Sequence, residues 1–349
     1  MRKSKAPLFS EKFLIQSALT LISSLLLIGT ALFHDALWIK PIPVAEETPK
    51  FFSNQTGDQL ENAYISAINN AKKSVLLLIF SMTSEEIIDA LRHKSQEGVP
   101  VKVICDAKAC PYISKKLGPQ VELIRRLGKG LMHIKILVID DIECWIGSAN
   151  FTNESLNMHG NLVVALKNEA LAATIKEKAS TLHEYDRKGE VTHHTYLAGN
   201  QELQISFLPD DKKASVRIKQ LIREAKKSIR IAMFTWTRFD MAKEVVEAQK
   251  RGVNVEVVLD RSSSNGASAK IAEMLKSHRV KLFYSAGTAL LHHKFMWLDD
   301  HTLEVGSANW TKAAFTQNDD CFLVLHPLTH EQRQHMQNLW QAIKADSLR

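Results

Sequence analysis

The chain of 349 residues contains much of itself twice. The stretch "INNAKKSVLLLIFSMT" (68–83) aligns with "IREAKKSIRIAMFTWT" (222–237), and "EGVPVKVICD" (97–106) with "RGVNVEVVLD" (251–260), both at an offset of 154. Further on, "LMHIKILVIDDIECWIGSANFT" (131–152) aligns with "LLHHKFMWLDDHTLEVGSANWT" (290–311) at 159, the difference being an insertion near "RSSSNGASAK". A repeat this long is too large for a solenoid unit, so each copy is a domain. Whatever one copy folds into, the other must also accommodate.

Within each copy the pattern runs amphipathic helix, apolar strand, helix, strand ending at Asp106 or Asp260, then a strand opened by histidine and lysine. Helices alternating with buried strands predict an α/β class. The expected architecture is two duplicated α/β sandwich domains packed about a pseudo-twofold axis, with both half-sites in one monomeric chain. Gly199 and Asn200 mark a turn, which places the first domain at 51–198 and the second at 199–349. Ahead of them, residues 13–33 hold no charged residue over about 30 Å of helix and follow a basic start. Residues 1–40 therefore read as a basic N-terminus with a transmembrane signal anchor, and 41–50 as a linker. The basic end stays cytoplasmic and the domains face the other side; the alternative is a secreted protein freed by signal-peptide cleavage.

Both copies fit one template: His-x-Lys, four residues, Asp, six residues, Gly-Ser-x-Asn. The first supplies His133, Lys135, Asp140, Gly147, Ser148 and Asn150, and the second His292, Lys294, Asp299, Gly306, Ser307 and Asn309. In a strand His292 and Lys294 share a face, while His293, Phe295 and Trp297 point the other way. An imidazole beside an ammonium calls for an anion between them. Two complete copies of this template resemble the signature of the phospholipase D superfamily, the HKD phosphodiesterases. The resemblance covers most of the chain beyond residue 51. It is nearest the compact branch that contains bacterial endonucleases and mitochondrial cardiolipin hydrolase, some members of which carry an N-terminal membrane helix.

That resemblance implies a metal-independent reaction without cofactor, through a covalent phosphohistidine that water or an alcohol then resolves. One neutral imidazole attacks phosphorus and the other, protonated, delivers a proton to the leaving oxygen. The lysines supply charge, and Ser148, Asn150, Ser307 and Asn309 supply donors to the phosphate. Family members follow the motif with Asn-x-acid, an acid expected to orient a histidine across the interface. The second copy offers Asn318 and Asp320; the first is read as "NLV" (161–163), without a carboxylate. With Asp320 on His133, His133 is the nucleophile and His292 the general acid. Asp140 and Asp299 lie an odd number of residues beyond their histidines, so by parity they, with Gly147 and Gly306, are structural.

Other residues draw plainer readings. His293 is a neighbour without a part in the reaction, and His159, His193 and His194, read as lacking a repeat counterpart, are solvated. The "AKKS" runs (71–74 and 225–228) are solvated helix ends. Trp297 packs in the core, and Trp310 and Phe315 are candidates for the pocket wall. Cys105 and Cys110 are either ordinary thiols, the favoured reading, or a small disulfide; no CxxC pair suggests zinc.

The net charge of +7 is partly concentrated in the first twelve residues, and it makes an anionic partner expected without naming one. Aromatics at 7% and the lack of a basic stripe argue against a nucleic-acid groove. The favoured partners are thus a phospholipid substrate and a membrane, and the favoured reaction hydrolysis of phosphatidyl phosphodiesters. A nuclease acting on DNA or RNA is the alternative. A phosphatidyltransferase of cardiolipin-synthase type is the second alternative, because "NFTNES" and "NWTKAA" depart from the Asp-x-Arg-Ser that such members place after GSxN.

Overall fold

The computed structural model describes residues 48–287 and 289–348. The expected membrane helix at 13–33 lies outside them, and among the described residues no helix is long and apolar enough to cross a membrane.

Sixteen strands form two sheets among the described residues. The first sheet contains β1 (Lys50–Phe52), β2 (Val75–Ile79), β3 (Val101–Asp106), β4 (Glu122–Arg126), β5 (Ile136–Ile139), β6 (Glu143–Gly147) and β7 (Val163–Lys167), in the order β1-β7-β6-β5-β2-β3-β4. The second contains β8 (His193–Ala198), β9 (Gln201–Leu208), β10 (Ser228–Met233), β11 (Asn254–Leu259), β12 (Lys281–Ser285), β13 (Lys294–Leu298), β14 (Thr302–Gly306), β15 (Asp320–His326) and β16 (Ser347–Leu348). Its order is β16-β12-β11-β10-β13-β14-β15-β9-β8. The inner strands follow the same sequence in both sheets, and the duplication extends to register: Val75 faces Val101 and Ile139 as Ile229 faces Val255 and Leu298. β8 pairs with β9 along its length. The second sheet therefore starts at His193, ahead of the boundary expected at 199, and the His193–His194 pair is half-buried in a strand rather than solvated.

β2, "VLLLI", is buried at every position, as expected of a parallel strand covered on both faces. Leu60, Ala63, Tyr64, Ala67 and Ile68 line one side of the helix Leu60–Asn70, and Ala214, Ile218 and Ile222 do so for Ala214–Glu224, at the spacing of a core-facing stripe. The two sheets share one apolar core. Leu78, Ile136 and Val164 of the first pack in a single cluster with Ile205, Phe295, Trp297 and Leu323 of the second. Met296 and Leu298, the alternate residues of β13, belong to a separate cluster on the other face. Trp297 lies in the core, as parity predicts.

Asp140 and Asp299 are structural for a different reason than parity. Both lie beyond their strands with positive φ, 54° and 50°, in the turns that follow β5 and β13. Asp140 carboxylate oxygens accept the backbone N–H groups of Lys72, Lys73 and Ser74 at 2.6–3.1 Å. Asp299 does the same for Lys226, Lys227 and Ser228 at 2.6–2.8 Å. The "AKKS" runs begin at helix C-caps, Ala71 and Ala225, with exposed lysines as expected, and they continue as clamped entries into β2 and β10. Burial opposes ionisation of Asp299, but the three backbone donors hold its carboxyl below the usual range. All four cysteines are buried and unbridged, so Cys105 and Cys110 form no disulfide.

Candidate active site

The backbone delivers both histidines to the junction between the halves. Asp106, at the end of β3, accepts from Met132 N–H at 3.1 Å, and Asp260 accepts from Leu291 N–H at 3.0 Å. Each carboxylate thus holds the residue just before a motif histidine. The same segments then cross over. Met132 bridges to Asp319 and Gly160 to Leu291 in short parallel pairings, with His133 N–H on Asp319 O at 2.7 Å and Gly160 N–H on Leu290 O at 2.9 Å. Each copy's histidine segment therefore lies against the other copy's segment just past its motif.

That exchange sets the partners of the imidazoles. His133 Nδ1 is 2.8 Å from Asp320 Oδ1, which also accepts from Ser307 Oγ at 2.7 Å. His292 Nδ1 is 3.0 Å from Asn161 Oδ1, which also accepts from Ser148 Oγ at 2.8 Å. Asn161 Nδ2 donates to Ser155 O at 2.7 Å, which fixes its oxygen toward His292. Both Nδ1 atoms face acceptors, so in each neutral ring Nδ1 carries the hydrogen and Nε2 carries the lone pair. Asn161, which the sequence reading passed over, is the counterpart of Asp320 at the offset of 159; the first copy has an amide where the second has a carboxylate, and no gap at 163. The same offset pairs His159 with Asn318. His159 is half-buried with its ring centroid 6.5 Å from that of His292, at the site rather than merely solvated.

Ser148 and Ser307, expected as phosphate donors, have their hydroxyls bonded within the protein. Both are fully buried, with their hydroxyls spent on Asn161 and Asp320 and accepting Leu162 N–H and Cys321 N–H. The glycines before them are required by contact: a Cβ at Gly147 would lie 2.3 Å from Leu162 O, and one at Gly306 2.3 Å from Cys321 O. Asn309 Oδ1 accepts from Thr235 N–H at 3.1 Å, while the buried Asn150 Oδ1 has no partner among the described residues.

The lysines are as enclosed as the histidines. Lys135 and Lys294 are 3% and 1% exposed, and each ammonium donates to the carbonyl of its own motif histidine, at 2.6 and 2.5 Å. Each also stands over a phenylalanine, Phe80 at 5.2 Å and Phe234 at 5.0 Å from the ring centroid. The same rings meet His133 and His292 at 5.2 and 5.1 Å. Phe80 and Phe234 wall the site; the expected candidates do not. Trp310 is fully buried against Trp236, and Phe315 packs under the Arg238 guanidinium. The signal was available, since Phe80 and Phe234 occupy one position of the repeat.

Burial governs the electrostatics, and lysine charge adds to it at Lys294 and at both histidines. Lys135 is pushed down to about 7 by burial, and Lys294 falls well below the ordinary lysine value through burial and Lys135. His133 is lowered by burial and Lys135 against the pull of Asp320. His292 has no carboxylate beside it and is lowered well below the usual value by burial, Lys294 and Lys135. Asp320 stays below the usual carboxyl range although burial opposes it, because His133, Lys135 and Ser307 favour its charge. Each histidine is thus influenced by both lysines, and the arrangement is primed for an anion. His293 is fully buried outside this set, with Nε2 2.6 Å from Gln55 Oε1.

A family profile described as "Cardiolipin synthase, PLD-like domain" matches residues 64–182 and 218–340, both copies and most of the chain. The chain belongs to the phospholipase D superfamily. Among curated relatives, cardiolipin synthase B of Salmonella typhimurium is 23% identical over 80% of this chain and 76% of its own length. Mitochondrial cardiolipin hydrolase of Xenopus tropicalis is 28% identical over 38% of this chain and 64% of its own. The crystal structure of phosphatidylserine synthase from Haemophilus influenzae Rd KW20 superposes with a TM-score of 0.70 at 13% identity, covering 88% of each chain, which establishes the shared fold. In this superfamily member, then, the two HKD half-sites meet in one chain, with one imidazole on a carboxylate and the other on an amide.

Proposed function

We propose that this chain is a phospholipase D-type hydrolase that cleaves phospholipid phosphodiesters, with His133 as nucleophile and His292 as general acid. The observation that carries the reading is the unequal pairing of the two imidazoles, His133 on Asp320 and His292 on Asn161. A carboxylate on Nδ1 stabilises the positive charge that grows on an imidazole as its Nε2 attacks phosphorus. An amide gives orientation without that charge, leaving its histidine the weaker base and the better proton donor once a phosphate sits between the lysines.

In the first step, His133 Nε2 forms a bond to phosphorus. The leaving oxygen takes the electron pair of its P–O bond and the proton of His292 Nε2. Lys135 and Lys294 offset the charge on the remaining oxygens. In the second step, water attacks phosphorus, His292 Nε2 accepts its proton, and the P–N electron pair returns to His133. The sum is diester plus water to monoester plus alcohol. Lipid is favoured over nucleic acid because the two curated relatives described above are named for cardiolipin. A transfer reaction, with an alcohol in place of water, has separate support in the synthase relative, which aligns over 80% of this chain.

The test assays the full chain in detergent micelles on labelled phosphatidylglycerol and diphosphatidylglycerol, beside single-stranded DNA and RNA, with and without EDTA and added glycerol. Expected are lipid turnover that persists in EDTA and is lost in His133→Asn and His292→Asn, and a phosphoryl adduct on His133. Turnover of nucleic acid without lipid refutes the substrate; an adduct on His292 refutes the assignment of roles.

A further inference from the structure

Beside the His133 half of the site lies a cleft of about 270 Å³ that the proposed chemistry does not use. It is bounded by the loop 127–131 and by residues of the second copy, Ala313, Gln317 and Asn318. The loop runs directly against that second copy: a Cβ at Gly130 would lie 2.3 Å from Gln317 O, so only glycine permits the approach. Asn318 Oδ1 accepts Leu131 N–H at 3.1 Å and closes the end of the cleft. Leu131 and Asn318 each stand two residues ahead of a site residue, His133 and Asp320. In extended chain that is ~7 Å, so the cleft opens next to the scissile position.

Its charge is lopsided. Lys108, Lys129 and Arg126 line it against one carboxylate, Asp106, which is occupied by the N–H groups of Lys108, Ala109 and Met132. Arg126 is buried and committed to Asp319 at 2.8 Å, while Lys108 and Lys129, the other basic residues among the described lining, are exposed and placed to meet a ligand. The second copy has Ser262 and Thr288 at the corresponding positions of the sequence, so this basic character belongs to one side of the site. Leu127 and Leu131, each 42% exposed, stand at the same cleft, and none of its lining residues is aromatic.

We propose that this cleft is a subsite for a second phosphate of the lipid substrate, held by Lys108 and Lys129 while the scissile phosphate sits between Lys135 and Lys294. The inference rests on the phospholipid reading above. The volume falls below the ~300–1,000 Å³ of sites that enclose a drug-sized ligand, which suits a headgroup fragment. Leucines beside the lysines suit the glycerol and first methylenes of a lipid. A nucleic-acid strand, whose next phosphate would offer the same charge, would call for a ring to stack its base.

The test compares diphosphatidylglycerol, with two phosphates, and phosphatidylglycerol, with one, at equal surface dilution in the same micelles. The variant is Lys108→Ser with Lys129→Thr, which gives the first copy the residues of the second. Both side chains are exposed, so the fold is expected to persist; a thermal melt of the variant checks this. The ratio of kcat/KM for the two-phosphate over the one-phosphate lipid is expected to fall about 10-fold, carried by KM. An unchanged ratio, or a fall confined to single-stranded oligonucleotide turnover, overturns the subsite. If the unmodified protein turns over no phospholipid, the functional reading fails and this inference with it.

Discussion

Replacing Asp320 by Asn tests the division of labour between the two histidines at the cost of a single atom type. Asp320 Oδ1 lies 2.8 Å from His133 Nδ1 and is fully buried. A hydrogen bond to a charged group contributes ~1.5–3 kcal/mol and a neutral one ~0.5–1.5 kcal/mol. The substitution therefore removes about 1–2 kcal/mol from the state in which His133 carries positive charge, or roughly 5–30-fold in rate. A much larger loss would follow if the amide reversed the imidazole tautomer. The other half-site argues against that: Asn161 holds His292 with its oxygen on Nδ1 while taking the Ser148 hydroxyl, and Ser307 is placed to orient an asparagine at 320 likewise. Asp320 raises the His133 pKa against burial, so its loss lowers that value further. His133 must be neutral to attack, hence the acid limb of kcat/KM moves to lower pH while the plateau drops. The assay is a pH profile of kcat/KM on a nitrophenyl phosphodiester, with peptide mapping of the trapped adduct. In the exchange variant Asp320→Asn with Asn161→Asp the adduct is expected on His292. A loss near ~10⁴-fold, an acid limb that stays or rises, or an adduct that remains on His133 in the exchange variant would refute the reasoning.

Inorganic phosphate or tungstate should raise Tm by about 4 °C at 100 times its Kd, because an anion between Lys135 and Lys294 relieves two buried ammonium groups. Lys135→Met should lose most of that shift in a thermal melt. Glu304 is fully buried and pushed up to about 8 by burial, so it folds protonated. Its stabilisation is complete below the unfolded carboxyl value of ~4.3 and is lost as pH rises through 8. Glu304→Gln, which mimics the protonated form, should therefore gain Tm over the unmodified protein from pH 5 to 8; a constant gap contradicts this. Gly306→Ala would set a Cβ 2.3 Å from Cys321 O and 2.6 Å from Phe322 Cα. It should destabilise by roughly 3 kcal/mol or more in urea unfolding and displace the adjoining Asp320 enough to lower activity.

What the sequence made legible follows from what duplication repeats. Positions identical in both copies could be read by spacing alone, and the structure gives several of them matching environments: the Lys135 and Lys294 ammonium groups on their histidine carbonyls, the Asp140 and Asp299 clamps, the Gly147 and Gly306 contacts. Parity along β13 agrees with Trp297 in the shared core, and just ahead of that strand His293 faces Gln55 while His292 faces Asn161. Parity failed where its premise failed, since Asp140 and Asp299 are turn residues at positive φ rather than strand residues. The serines misled because membership of a motif does not say where a hydroxyl points, and only the sheet shows Ser148 and Ser307 turned toward Asn161 and Asp320. The least legible part is the part that differs between copies. "HGN" at 159–161 and "NDD" at 318–320 occupy one position of the repeat, yet share a single type only by shifting register, and that shift hid Asn161. These two triplets cross the junction and face the opposite copy's histidine. In a symmetric pair of half-sites only the bound diester, with its leaving oxygen on one side, would distinguish the nucleophile from the acid. Here the protein itself distinguishes them where the repeat breaks, with a carboxylate on His133 and an amide on His292, which is the difference the proposed roles use.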